Sequence, residues 1–156
     1  MILFNKEIEV SIEIEKTFLN NLMKEGRKHY PKEFGGFLIG YYSEDQKVLR
    51  ITKNIFPKKY YNTSSLFIRN SEGIESDLKK LHSNTPSEYY IGEWHTHPNG
   101  SSMYSNTDLN AMKKIVQCSS VQIKNPILLI LSIMNDEARD FSFYLFNDNK
   151  LSKYEK

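Results

Sequence analysis

The sequence predicts an α/β sandwich in which helices pack on a mixed, largely antiparallel sheet. Three observations carry that prediction. Several short runs alternate apolar and polar residues with period two. Other segments repeat apolar residues at helical spacing. The two kinds are interspersed, in the order strand, helix, three strands, helix, strand, helix and two strands. With 156 residues and no repeat or linker-like stretch, the expectation is one domain over residues 1–156 with its core at about 8–146.

Glu7–Glu15 alternates strictly, with Ile8, Val10, Ile12 and Ile14 on one side and Glu9, Ser11 and Glu13 on the other, a half-buried strand. Phe18, Leu19, Leu22 and Met23 recur at helical spacing over Lys16–His29, and Gly26 followed by Pro31 marks the exit. Phe34–Tyr42, opened by Gly35 and Gly36, and Val48–Phe56 form a hairpin around the polar turn Ser43–Gln46. Pro57–Ser65 reads as an exposed polar loop, Leu66–Arg69 as an extended segment and Ser71–His82 as a capped helix. Tyr89–His97 is a strand stopped by Pro98, Asn99 and Gly100, and a helix follows at Asn106–Ser119. Ile127–Met134 and Arg139–Phe146 are the last strands, and Asn147–Lys156 is expected to be a charged tail.

Composition excludes several functions. A net charge of +2 creates no field that would attract nucleic acid, and the cluster Lys58, Lys59, Tyr60 and Tyr61 is too short to do so alone. The longest apolar stretch, Ile127–Ile133, is interrupted by Ser132 and falls far short of the roughly 20 residues of a membrane helix. Neither nucleic acid nor membrane is expected as a partner. Lys6, Glu7 and Glu9 stand where a secretory signal needs apolar residues, and the single Cys118 allows no intrachain disulfide. Both point to the cytoplasm. Cys118, near Ile115 on its predicted helix, reads as a buried small hydrophobe rather than a nucleophile.

Chemistry concentrates near residue 100. His95 and His97 lie two apart in a strand, so both imidazoles face the same way and Trp94 faces the other. Ser105 and Asp108 stand at the spacing of a capped helix start, which by itself calls for no metal. A helix starting beside a strand end, however, brings the Asp108 carboxylate toward the two imidazoles. Two histidines and one carboxylate form a three-ligand zinc site with a fourth position left for water. Two glutamates compete as the base: Glu33, just before Gly35 and Gly36, and Glu93, on the strand face of the histidines. The Ser105 hydroxyl is available to donate to an oxyanion.

His95-Thr96-His97-Pro98, six residues, Ser105, two residues and Asp108, with Glu33 upstream, resembles the JAMM (MPN+) metallopeptidase motif. The resemblance implies a cytidine-deaminase-like α/β/α sandwich and one catalytic Zn2+ held by His95, His97 and Asp108. It also implies Glu33 as general base and Ser105 as support for the tetrahedral intermediate. Deaminase chemistry itself needs a later pair of cysteines, which this chain lacks. Tyr90–Pro98 and Glu33–Gly40 are similar to compact bacterial members, among them the deconjugating peptidases of CBASS antiphage operons. For these the resemblance implies cleavage of an isopeptide or peptide bond after the extended C-terminal tail of a nucleotidyltransferase or ubiquitin-like protein. Two alternatives stay open: processing of a sulfur-carrier or ubiquitin-like precursor, and a catalytically inactive scaffold of the same fold.

Overall fold

The computed structural model of the protein describes residues 1–156. Along the chain run β1 (Ile2–Asn5), β2 (Val10–Ile14), α1 (Lys16–Lys28), β3 (Gly35–Tyr42), β4 (Val48–Ile55), β5 (Lys59–Asn62), β6 (Phe67–Asn70) and α2 (Glu75–His82). Then come β7 (Tyr89–Pro98), α3 (Asn106–Gln117), β8 (Ile127–Met134), β9 (Glu137–Asn147) and β10 (Lys150–Lys153). Eight strands form one sheet in the order β1-β2-β4-β3-β7-β8-β9-β10, and β5 with β6 forms a separate ribbon. Only β2–β4 and β7–β8 are parallel pairs, so the sheet is mixed and mostly antiparallel, as expected.

Strand β8 shows why helices cover both faces. Ile127, Leu129 and Leu131 join Leu19 and Leu22 of α1 in a core of 17 buried residues. Leu128 and Ile130 point the other way, to Met112 of α3, in a second core of six. A strand covered on both faces has to be apolar at every position, and β8 nearly is. Gly26 of α1 is a point of close approach rather than the helix exit: a Cβ there would stand 2.4 Å from Cγ2 of Thr96 on β7.

Several sequence expectations need correction. Ile2–Asn5 is a strand that the sequence reading left out; Leu3 and Asn5 point inward while Ile2 and Phe4 are exposed. The next strand starts only at Val10, because Glu9 has φ 54 and breaks extended pairing. The supposed loop Pro57–Ser65 contains β5, paired with β6 from Lys59–Asn70 to Asn62–Phe67. Helix α2 starts at Glu75, with no side-chain cap, after Gly73 has turned the chain at φ +83. The charged tail is largely structured: β10 pairs with β9, and Leu151 and Tyr154 are buried. Just past β10, Glu155 exchanges backbone hydrogen bonds of 2.8 and 2.9 Å with Phe4, so the two edges of the sheet meet.

Because Tyr154 belongs to the main core, Tyr154→Ala is expected to lower unfolding free energy by about 3 kcal/mol in urea titrations. A charged, unpacked tail end would instead make the substitution neutral.

Candidate metal centre

Alternation along β7 separates two environments. Trp94 and Thr96 are fully buried on the α1 side. Glu93, His95 and His97 face a cleft of about 360 Å³ that Glu33, Arg69, Ser105 and Asp108 also line. Strand β3 runs against β7 with Gly35 opposite His95. A Cβ on Gly35 would lie 1.9 Å from the Trp94 carbonyl oxygen and 2.8 Å from the His95 Cα, so this approach requires glycine. Continuing that register sets Glu33 across from His97. The Thr96 amide donates to the Phe34 carbonyl at 2.8 Å, and the Phe34 amide donates to Thr96 Oγ1 at 3.0 Å. Glu33 is gripped through its backbone: its amide donates to the Thr63 carbonyl at 2.7 Å, and Asn62 Nδ2 donates to its carbonyl at 2.9 Å.

After Pro98 the chain turns at Asn99, with φ 56, and is tied down before α3 begins. Ser132 Oγ donates to the Gly100 carbonyl at 2.6 Å, Ser102 Oγ donates to Asp140 at 2.7 Å, and the Tyr144 hydroxyl donates to the Ser102 carbonyl at 2.9 Å. Ser105 and Asp108 then close a capping box. The Asp108 amide donates to Ser105 Oγ at 3.2 Å, while Asp108 Oδ2 accepts from the Ser105 amide at 2.6 Å and hydroxyl at 2.7 Å. The other oxygen, Oδ1, lies 3.0 Å from His95 Nε2. One carboxylate thus caps the helix and also faces the imidazoles, where it could hold a metal ion.

The donor set fits a metal ion. His95 Nε2 and His97 Nε2 lie 3.0 Å apart, and all three ligand atoms fall within 4.8 Å of one another. His97 Nδ1 donates to the Ser101 carbonyl at 3.0 Å, which leaves its Nε2 lone pair directed at the site. Two imidazoles and a carboxylate form a nitrogen and oxygen set of the kind catalytic zinc takes.

Burial opposes ionisation of Asp108, but the hydrogen-bonded imidazoles and the Ser105 amide outweigh it and hold the carboxyl below the usual range. Burial lowers the pKa of His95. It acts the same way on His97, but there Asp108 prevails and the value rises. Burial pushes the Glu33 carboxyl up to about 7, with His97 pulling against it and Asp108 adding to the rise.

The five residues singled out from sequence therefore line one cleft. Glu93, the competing base, is instead ion-paired with Arg69 of β6, and both side chains are nearly buried. Sequence reasoning missed Arg69; only its alternation with Phe67 on a short extended segment hinted at an inward position. Cys118 is a correction: it is exposed at the C-cap of α3. Lys58 and Lys59 of the basic cluster are used within the fold, bonded to the Gly73 carbonyl and to Glu72.

A sandwich of this topology with two imidazoles and a carboxylate beside an open cleft defines a class of metal-site α/β domains suited to hydrolysis. Residues 15–145 match the family described as prokaryotic homologs of the JAB domain, and the chain belongs to that family. It is similar to the CD-NTase/cGAS isopeptidase of Enterobacter hormaechei subsp. hoffmannii (strain UCI 50), 32% identical over 134 residues, covering 85% of this chain and 72% of the relative. It is also similar to the probable metalloprotease y4qB of Sinorhizobium fredii, 28% identical over 127 residues, covering 76% and 73%. Both names denote hydrolases and support a hydrolase here. Two solution structures share the fold. One, from Desulfitobacterium hafniense, has a TM-score of 0.68 at 16% identity, covering 92% of this chain and 90% of the other. The second, from Salinibacter ruber, has a TM-score of 0.61 at 15% identity, covering 92% and 88%.

Two measurements follow from this geometry. Gly35→Ala forces β3 away from His95, and is expected to cost about 2 kcal/mol of stability and to weaken binding of a divalent metal ion in chelator competition. Unchanged metal affinity would show that the close approach does not shape the site. In metal-free protein, Glu33 has a raised folded pKa, so its contribution to stability is present at low pH and is lost as pH rises from about 4.5 to about 7. Glu33→Gln should flatten that part of the stability profile, measured by urea unfolding across the range; a steeper slope in the variant would contradict the assignment.

Proposed function

We propose that this protein is a zinc-dependent isopeptidase or peptidase that removes a nucleotidyltransferase or ubiquitin-like C-terminal conjugate from target proteins in bacterial antiphage (CBASS) defence. The observation that carries the reading is the convergence of His95, His97 and Asp108 on one cleft with Glu33 across from them. The relative named as a CD-NTase/cGAS isopeptidase supports the substrate class. Residues 1–156 act in this reading as one peptidase domain, in the cytoplasm, with a protein substrate and with neither nucleic acid nor membrane as partner.

His95, His97 and Asp108 would hold the zinc ion. When bound, the ion lowers the pKa of a water molecule and stabilises negative charge on the scissile carbonyl oxygen. Glu33 takes a proton at its carboxylate and delivers it to the leaving amine; a pKa of about 7 suits both halves of that transfer. Ser105 lines the same cleft, and its hydroxyl, which donates to Asp108 without substrate, would turn to donate to the oxyanion. His97, oriented by the Ser101 carbonyl, keeps its ligand nitrogen in place. An extended tail reaches these groups between the ribbon tip at Ser64–Leu66 and the first turns of α3.

The relative named as a probable metalloprotease favours a second reading with the same chemistry, processing of a linear sulfur-carrier or ubiquitin-like precursor. An inactive scaffold is disfavoured because the donor set and Glu33 are all intact.

Glu33→Gln should lower turnover by about 10²-fold or more while zinc content stays at one per chain. Asp108→Ala should lose the zinc, and chelation should abolish activity that added Zn2+ restores. Mass spectrometry of isopeptide-linked and linear tail substrates, offered side by side, separates the two substrate readings. Full activity of Glu33→Gln would remove Glu33 from the mechanism.

A further inference from the structure

The ribbon β5–β6 lies outside the main sheet, yet it touches both sides of the cleft. On one side, Arg69 forms an ion pair with Glu93 whose side chains are 11% and 9% exposed. Arg69 Nη2 also donates to the Trp94 carbonyl at 3.2 Å, the peptide group that leads into His95. The Phe67 ring backs the guanidinium at 4.9 Å. On the other side, Asn62 and Thr63 grip the backbone of Glu33, as described above. The Glu33 grip and the lock on the histidine strand therefore belong to one short piece of chain.

Stability alone does not account for a buried Arg–Glu pair at this place. Desolvating two charges costs about as much as their attraction returns, and an apolar pair of similar volume commonly holds two elements together as well or better. What an apolar pair lacks is direction. The guanidinium binds a carboxylate and a carbonyl at once, in a fixed plane, and so fixes where the ribbon sits along β7.

We propose that Arg69 is a positioning residue: by locking the ribbon to β7 at Glu93 and Trp94, it sets the place of Glu33 relative to His95 and His97. The metal ligands themselves sit on β7 and α3, held by the main sheet and the capping box, and do not depend on the lock. The inference rests on the reading of Glu33 as the base.

The test uses the full chain as Arg69→Met, Arg69→Lys, Glu93→Leu and the double variant Arg69→Met/Glu93→Leu. Amide hydrogen exchange by NMR reports on the Glu33 amide, the ribbon and β7 separately. In Arg69→Met, exchange at Glu33 and across the ribbon should speed up while β7 stays protected. Turnover of a tail substrate should fall about tenfold or more, with KM and zinc affinity changed by less than about threefold. Arg69→Lys should recover part of the turnover, since a lysine reaches Glu93 but not the Trp94 carbonyl as well. The double variant should regain thermal stability and not turnover. Wild-type turnover in the double variant, or unchanged exchange at Glu33 in Arg69→Met, would overturn the proposal. If the unmodified protein cleaves no tail substrate, the peptidase reading fails separately, and the exchange measurement alone decides whether Arg69 holds Glu33.

Discussion

Strand β3 lies against β7 at a separation that no side chain on Gly35 would permit, since an added Cβ would stand 1.9 Å from the Trp94 carbonyl oxygen. From that contact comes the register of Gly35 with His95, and from the register comes the position of Glu33 opposite His97. The alternation of strands then sends Phe34 to the other face, where its ring meets Trp94 edge-on at 6.1 Å and stacks with His29 at 3.5 Å. A single close approach thus decides which residue faces the cleft and which one anchors the aromatic core. Shifting the pairing by one residue would exchange the two and bury a carboxylate among aromatic rings.

The same economy governs the polar groups at the site. A cleft that collects two imidazoles, three carboxyl groups and a guanidinium is costly wherever a polar atom is left without a partner, as the buried Nε of Arg69 is. Asp108 spends one oxygen on capping α3 and turns the other toward His95. His97 is held by a backbone carbonyl, and Glu93 by Arg69. The connection from Pro98 to Ser105 is fixed by the buried hydroxyls of Ser102 and Ser132 and by Asp140 and Tyr144 on the neighbouring strands. That connection sets the distance between strand β7 and helix α3, and so the distance between the histidines and Asp108. Burial raises the Glu33 carboxyl to a pKa of about 7, a value suited to proton transfer near neutral pH.

Much of this was legible because the rules involved are local. Period-two alternation is enough to put His95 and His97 together and Trp94 opposite, and a serine three residues before an aspartate is enough to announce the start of α3. Long-range facts were not legible. The sequence favours Glu33 over Glu93, whose place along the strand sets it further from the open side of the site, but the pairing of Arg69 with Glu93, 24 positions apart, is visible only in the structure. The ribbon reads as a polar loop because Lys59, Tyr60 and Tyr61 are exposed; that Tyr60 and Phe67 pack against Phe34 is recognisable only from the structure. Strand β10 and the residues after it are hidden in the same way, buried Leu151 and Tyr154 being set among exposed Lys150, Lys153, Glu155 and Lys156. Cys118 was misjudged because α3 ends one residue before it, and the burial pattern of a helix does not extend past its last turn.

The division between sheet and ribbon also bears on how so small a domain can hold a rigid site and still admit a chain. The three metal-site donors are carried by β7 and α3, elements whose backbones are paired or capped and whose reverse sides belong to the two cores. Ordering of those donors is therefore complete before any substrate arrives, which is the condition for a site that loses nothing to reorganisation. The ribbon is a two-stranded element with free edges, and such an element is weakly stable on its own. It is kept in place by a few directional bonds at Arg69, Asn62 and Thr63 and by the aromatic packing of Tyr60 and Phe67 on Phe34. An extended chain that pairs with a ribbon edge would add hydrogen bonds to this weakly held element, and it would do so beside Glu33, the proposed base. On the reading of Glu33 as the base, binding energy gained along such a tail would act on the position of Glu33 rather than on the three metal-site donors, which the sheet and α3 already hold.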